Sequence, residues 1–231
     1  MNLVDRRRRI LGDSRQILDD RERFLALGHY SPVVDLLDEV LPSVERQDIV
    51  DSGCGTGYYL AELLARREQW QALALDVSAD AVAMAVRTAG GATAGVVSDV
   101  WQALPLRGEV ADVVLCVFAP RNAAEFARVL RPHGRLVVTT PSENHLVQLR
   151  ESGRLIGIQR DKLAHLDETL AGFFVLDERR TLEYDVDLLP HEVQSLAGMG
   201  PSGHHPTEES GAHSDQTRVT VAVDVSSYRL A

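Results

Sequence analysis

The sequence predicts an α/β fold, a doubly wound sheet with helices on both faces, on three observations. From residue 48 onward, short apolar runs alternate with amphipathic stretches, as strands joined by crossover helices do. The first run, Asp48–Ser52, passes directly into a glycine-rich turn, Gly53-Cys54-Gly55-Thr56-Gly57. Acidic residues then recur at the ends of successive runs, at Asp51, Asp76 and Asp99.

Two helices are expected before that alternation begins. Residues 13–28 have Asp13 or Ser14 as N-cap, apolar Ile17, Phe24 and Leu25 near helical spacing, and Gly28 as the stop. His29-Tyr30-Ser31-Pro32 leads into a second helix with a Val33, Leu36, Leu37 and Val40 stripe, ended by Pro42. Residues 1–45 are therefore expected to form a helical cap on the substrate side, with the main domain over 46–231. After the first strand come a helix at 58–67, a strand at Gln71–Val77 and a helix capped by Ser78 that runs to about Ala89. The third strand is Thr93–Val97, and the fourth, Asp112–Phe118, is a nearly unbroken apolar run, as a central strand covered on both faces should be. A helix from Asn122 or Ala123 to Leu130 stops at the turn Arg131-Pro132-His133-Gly134, and Arg135–Thr140 is the fifth strand. Residues 142–171 are polar and helix-prone, Phe173–Asp187 is a strand, Gly198–His205 lies in a connection, and 207–216 reads as a flexible loop. In the last segment, Thr217–Arg229, four valines alternate with polar residues, which predicts a half-exposed strand.

Composition narrows the function classes. With 231 residues, one ordinary domain, or one domain with a small appendage, is expected. The formal net charge of −10 weighs against strong non-specific nucleic-acid binding, although Arg6–Arg9 is a local basic run. Cys54 and Cys116 stand alone without a C-x-x-C partner, so no metal site is expected; Cys54 suits a tight turn and Cys116 a core. There is no apolar run long enough to span a bilayer and no signal peptide, so no membrane association and a cytoplasmic location are expected.

The ligand is expected outside the carboxyl ends of the strands. The spacing G-x-G-x-G, with Asp51 two residues ahead, is not the dinucleotide pattern G-x-G-x-x-G and resembles the motif of class I S-adenosylmethionine (SAM) methyltransferases. In that reading Gly53, Cys54, Gly55, Gly57 and Tyr58 surround the cofactor, and Asp51 orients the loop or meets the methionine ammonium. Asp76 accepts from the ribose diol, and Asp99 from the adenine amino group, with Val77, Val100 and Trp101 around the ring; Trp101 is equally suited to be a core anchor. Phe118 and Ala119 close the site at the end of the fourth strand. Methyl transfer needs alignment above all, and a base only where the acceptor must lose a proton. Asp13, His29, Tyr30, His145, His204 and His205 are the titratable candidates, and His29, Tyr30 and Arg121 the candidate catalytic contacts.

The whole chain resembles the bacterial 23S rRNA guanine-N1 methyltransferases, a family with macrolide-resistance members. The resemblance is carried by Gly12-Asp13-Ser14 with Arg21, Gly28-His29-Tyr30, Asp51 through Tyr59, and Leu75-Asp76-Val77-Ser78. It continues through Asp99-Val100-Trp101, Val117-Phe118-Ala119-Pro120-Arg121, Arg131-Pro132-His133-Gly134-Arg135 and Gly198-Met199-Gly200-Pro201-Ser202. It implies a seven-stranded, mostly parallel sheet whose last strand inserts antiparallel beside the fifth. Members of the family typically open with a zinc-binding module that grips the rRNA hairpin, and Met1-Asn2-Leu3-Val4 resembles the residues just after it, so a member lacking that module is expected. Two acceptors follow, an rRNA guanine or a small molecule of specialised metabolism on the same scaffold, beside a SAM-binding protein without turnover. A homodimer is compatible with each.

Overall fold

The structure is a computed structural model that describes residues 1–2, 12–91, 93–155, 162–199 and 216–231. Two helices, α1 (Arg15–Leu25) and α2 (Ser31–Val40), precede β1 (Asp48–Ser52), α3 (Tyr58–Arg66), β2 (Gln71–Asp76), α4 (Ala79–Ala89) and β3 (Thr93–Val97). The chain continues through β4 (Ala111–Val117), α5 (Ala123–Val129), β5 (Leu130–Pro141), α6 (Val147–Glu151), α7 (Lys162–Leu170), β6 (Phe174–Leu188), α8 (Pro190–Gly198) and β7 (Thr217–Leu230). The seven strands form one sheet in the order β3-β2-β1-β4-β5-β7-β6. Pairings from β3 to β5 are parallel, and β7 runs antiparallel to β5, as the family resemblance implied, and to β6. The order reverses between β1 and β4, which opens a crevice at their carboxyl ends.

The strand alternation builds a core on each face. Along β4, Val113, Leu115 and Val117 pack with α1, α2, α3 and α8, while Val114 and Cys116 pack with Phe126 of α5 and Leu166 of α7. Both faces are covered, which is why β4 carries no polar stripe. Cys116 is fully buried, and burial pushes its thiol up to about 12. Local signals set the helix ends. Ser14 caps α1 by accepting from the Ile17 N–H, and Ser78 caps α4 by accepting from the Ala81 N–H.

Three elements differ from the expectation. The final strand is buried almost throughout, polar positions included, because it lies between β5 and β6 rather than at an edge. Its polar side chains have partners there: Asp224 accepts from Thr181 at 2.6 Å, Ser226 from Arg179 at 2.8 Å, and Thr220 donates to Asp185 at 2.9 Å. Alternation of Val with a polar residue thus marks a buried polar network here, not a wet face. The connection ahead of Gly198 contains α8, started by Pro190 in its first turn, with Glu192 accepting from the Leu189 N–H at 2.6 Å. The expected turn at Arg131–Gly134 is the irregular start of β5, whose register against β4 shifts between Ala111 and Val113. Residues 200–215, including His204, His205 and all but the last residue of the expected loop, and the Arg6–Arg9 run lie outside the described residues.

Candidate functional site

A cavity of about 470 Å³ opens at the carboxyl ends of β1, β4 and β5 and extends under α1, α7 and α8. At one end lies the glycine loop. Gly53 adopts φ +81°, and a Cβ there would stand 2.4 Å from the Cβ of Ala119, so only glycine lets the loop cross the end of β4. The loop is tied to β2, with the Gly53 and Cys54 N–H groups both donating to the Leu75 carbonyl at 2.8 and 2.9 Å. Cys54, buried beside the carboxyls of Asp51 and Asp76, has its thiol pushed up and stays protonated.

Asp51 lines this end of the cavity and is 3% exposed. Burial first, and the neighbouring Asp76 second, push its carboxyl up to about 7. Among the described residues no donor or cation pairs with that side chain. A buried carboxyl of this kind is stabilised by an arriving cation, and the ammonium of the methionine half of SAM is one. Together with a loop whose backbone is bare where a Cβ would collide, this fits the cofactor expected from the sequence. The coupling has a testable sign. Asp51 must ionise to pair with the ammonium, so SAM affinity should rise with pH through the carboxyl's value near 7. Calorimetry should find binding about tenfold tighter at pH 7 than at pH 5.5, with proton release at the lower pH. Asp51→Asn should bind weakly with a flat profile, and a flat wild-type profile would contradict the pairing.

Asp76 stands at the end of β2 with Oδ2 accepting from the Gly55 N–H at 3.1 Å and Oδ1 from the Ser78 N–H at 2.9 Å. Burial raises its pKa, and those two bonds oppose the rise. It thus holds the loop as well as being a candidate for the ribose. Asp99 accepts from the Trp101 N–H at 3.0 Å, and Asn122 donates to the Val100 carbonyl at 2.9 Å. Trp101 is 63% exposed and is not a core anchor. Gly57, Asp76, Val77, Asp99 and Val100 are not among the residues that line the cavity. The N-terminal segment crosses this end: a Cβ on Gly12 would stand 3.0 Å from the Cβ of Ser78, whose hydroxyl donates to the Asp13 carbonyl at 3.4 Å. Arg21 closes the strap, pairing with Asp13 at 2.6 Å and donating to the Met199 carbonyl at 2.8 Å, with its guanidinium over Gly55.

The other end of the cavity is built around Phe118. It takes φ +53°, a conformation that a bulky side chain rarely holds, and remains 40% exposed. Its ring lies 6.1 Å from that of His145, nearly parallel, and 6.2 Å from that of Tyr59. His145 Nδ1 accepts from the Ala222 N–H at 3.2 Å, which leaves Nε2 to donate to the Tyr30 hydroxyl 3.4 Å away. Burial, with Arg150 and Lys162 adding to it, lowers His145 to about 4, so the ring is neutral at working pH. Thr139 and Thr140, at the end of β5, also border the cavity, and their hydroxyls, buried from solvent, have no hydrogen-bond partner among the described residues. Arg121, Arg150, Lys162 and His165 complete that end.

Of the sequence-derived contacts, the cavity brings together Asp51, Gly53, Cys54, Gly55, Tyr58, Phe118 and Ala119, with Tyr30 and Arg121. It does not include His29, whose Nε2 faces Glu192 at 3.4 Å. Thr139, Thr140, Arg150 and Lys162 were not foreseen. They come from β5, α6 and α7, where no motif spacing marks them, and only the fold assembles them.

A family model for a methyltransferase domain matches residues 49–134. A Streptomyces fradiae protein named 23S rRNA (guanine(748)-N(1))-methyltransferase is 38% identical over 213 residues, covering 89% of this chain and 74% of its own length. A Micromonospora griseorubida protein, provisionally named for the same activity, is 37% identical over 250 residues, covering 99% of this chain and 84% of its own. Among solved structures, one chain of the Haloferax volcanii complex containing the Trm112 methyltransferase activator superposes with a TM-score of 0.65 at 18% identity, covering 95% of this chain and 99% of that one. The YcgJ protein of Bacillus subtilis gives a TM-score of 0.58 at 13% identity over 86% of this chain and 98% of that one. At such identities the likeness concerns the fold.

Proposed function

The chain belongs to the family of 23S rRNA (guanine-N1)-methyltransferases and is a SAM-dependent methyltransferase; from that premise we propose that its acceptor is the N1 nitrogen of a guanine in 23S rRNA. The observation that carries the acceptor reading is Phe118, an exposed aromatic held at φ +53° one residue before the Ala119 that touches the glycine loop. A base unstacked from RNA needs an aromatic face to replace its lost neighbours, and a ring fixed by strain loses little freedom on meeting it. Tyr59 and neutral His145 back that ring.

SAM supplies a sulfonium methyl that is already electrophilic. The chain's own contribution is placement. Asp51 and the glycine loop hold the cofactor at one end of the cavity, and Phe118 presents the base at the other, so that N1 lies in line with the methyl. With SAM bound, transfer would replace its sulfur–carbon bond by an N1–carbon bond, S-adenosylhomocysteine would be the leaving group, and the N1 proton would pass to solvent water. Asp76 and Asp99 are assigned to the ribose and adenine from their strand-end positions, with Val77 and Val100 beside them. Residues 1–45 are taken as the acceptor-side cap, since the Arg21 ties link α1 to the end of α8 over the loop.

Incubation with labelled SAM and undermethylated 23S rRNA should place the label in the RNA. Label found only in a small-molecule fraction of the source cells would replace this acceptor with a metabolite.

A further inference from the structure

Among the described residues most arginines are paired with a carboxylate. Arg66 pairs with Asp35 at 2.7 Å, Arg128 with Glu125 at 2.6 Å, Arg131 with Asp112 at 2.6 Å, and Arg179 with Asp167 at 2.6 Å. In the cavity only Arg21 follows that pattern, through Asp13. Arg121, Arg150 and Lys162 all line the cavity, and among the described residues none has a carboxylate within ion-pair distance. Arg150 is fixed by donating to the main-chain carbonyls of His145, at 3.0 Å, and Glu143, which are neutral acceptors. Lys162 is half-buried, and its ammonium is disfavoured first by that burial and then by Arg121 and Arg150. It also opens α7, whose positive end adds to the same field. Three cations gathered in a partly buried space repel one another, and the arrangement is stabilised only by an anion.

We propose that Arg121, Arg150 and Lys162 form a subsite for a backbone phosphate of the RNA acceptor, holding the phosphodiester beside the nucleoside that is methylated. This rests on the rRNA reading above and gives it a recognition element. Arg121 follows Phe118 by three residues on the loop after β4, so a base on the ring places its phosphate within reach of the cluster. The single carboxylate of the cofactor does not balance three charges. A phosphodiester chain does, because its anions repeat at every nucleotide. The cluster needs no sequence information to act: it positions, and the cavity wall reads the base.

The test compares the wild-type enzyme with Arg121→Gln and Lys162→Gln, which leave the Arg150 main-chain bonds intact. A short single-stranded oligoribonucleotide is the binding probe, and undermethylated 23S rRNA the substrate. Each variant is expected to bind the oligoribonucleotide about tenfold more weakly. The slope of log affinity against log salt should fall by about one per charge removed. SAM affinity should stay within about twofold, and the KM for rRNA should rise more than kcat falls. Unchanged oligoribonucleotide affinity and salt slope, with rRNA transfer intact, would overturn the subsite while leaving the acceptor reading standing. Loss of SAM binding in the variants would also overturn it and assign the cluster to the cofactor's carboxylate. Salt-dependent binding that the variants lose, in an enzyme that methylates no rRNA, would keep the subsite and remove the acceptor reading.

Discussion

Gly57→Ala is expected to lower stability by about 3 kcal/mol and to weaken SAM binding by at least tenfold. Gly57 stands at φ +80° as the residue before α3, and a Cβ there would lie 2.5 Å from the Cα of Ala85 and 2.8 Å from its Cβ. The first obstacle is main chain inside α4, so no side-chain rotation relieves it. Left-handed backbone costs an alanine about 1–2 kcal/mol, and overpacking against α4 adds a similar amount. In a chain of this size that corresponds to a melting temperature lower by about 10 °C. Separation of α3 from α4 would carry the loop off the end of β1, which is how the cofactor is lost. Gly28 supplies the control: it has the same φ of +80° but nothing within 4 Å of its Cβ position. Gly28→Ala should cost only the backbone share, about 1 kcal/mol, and leave SAM affinity unchanged. Equal melting temperatures for the two variants would refute the steric account.

Phe118→Ala is expected to lower kcat/KM for rRNA by about 10- to 100-fold while SAM affinity stays within about twofold. Stacking of a base on an aromatic side chain contributes about 1–3 kcal/mol, which sets that range. The direction of the stability change separates this role from a structural one. Phe118 is 40% exposed and sits in strained backbone, so its removal forfeits little burial, and alanine tolerates the left-handed region no worse. Phe118→Tyr should recover most of the activity, because the face of the ring is what the base requires. A Phe118→Ala enzyme with unchanged kcat/KM would mean that the acceptor does not meet this ring.

The fold was legible where local pattern and global position agree. The apolar run at β4, the serine caps on α1 and α4, and the glycine loop after β1 each declare themselves within a few residues. The glycine-loop end of the cavity was legible for the same reason, since Asp51 and Gly53–Thr56, which line it, are nearly contiguous. The last strand was not. Thr220, Asp224 and Ser226 have the polarity of a wet face, and only the insertion of β7 between β5 and β6 supplies Asp185, Thr181 and Arg179 as their partners. The other end of the cavity was legible only in part, for a related reason. Phe118 and His145 were named from the sequence, but Thr139, Arg150 and Lys162 lie on separate elements with no fixed spacing, and only the sheet brings them to the same cavity. His29 shows the converse: a histidine in a family motif that packs on Phe24 and faces Glu192, outside that cavity.

The central claim is that a single cavity brings the sulfonium methyl to a guanine N1 laid on Phe118. Digestion of the methylated 23S rRNA to nucleosides, followed by mass spectrometry against authentic standards, tests it most directly. The predicted product is N1-methylguanosine, formed by the wild-type enzyme and reduced at least tenfold in Phe118→Ala. A methyl group on any other nucleoside or ring position, or no methylated nucleoside at all, would contradict it.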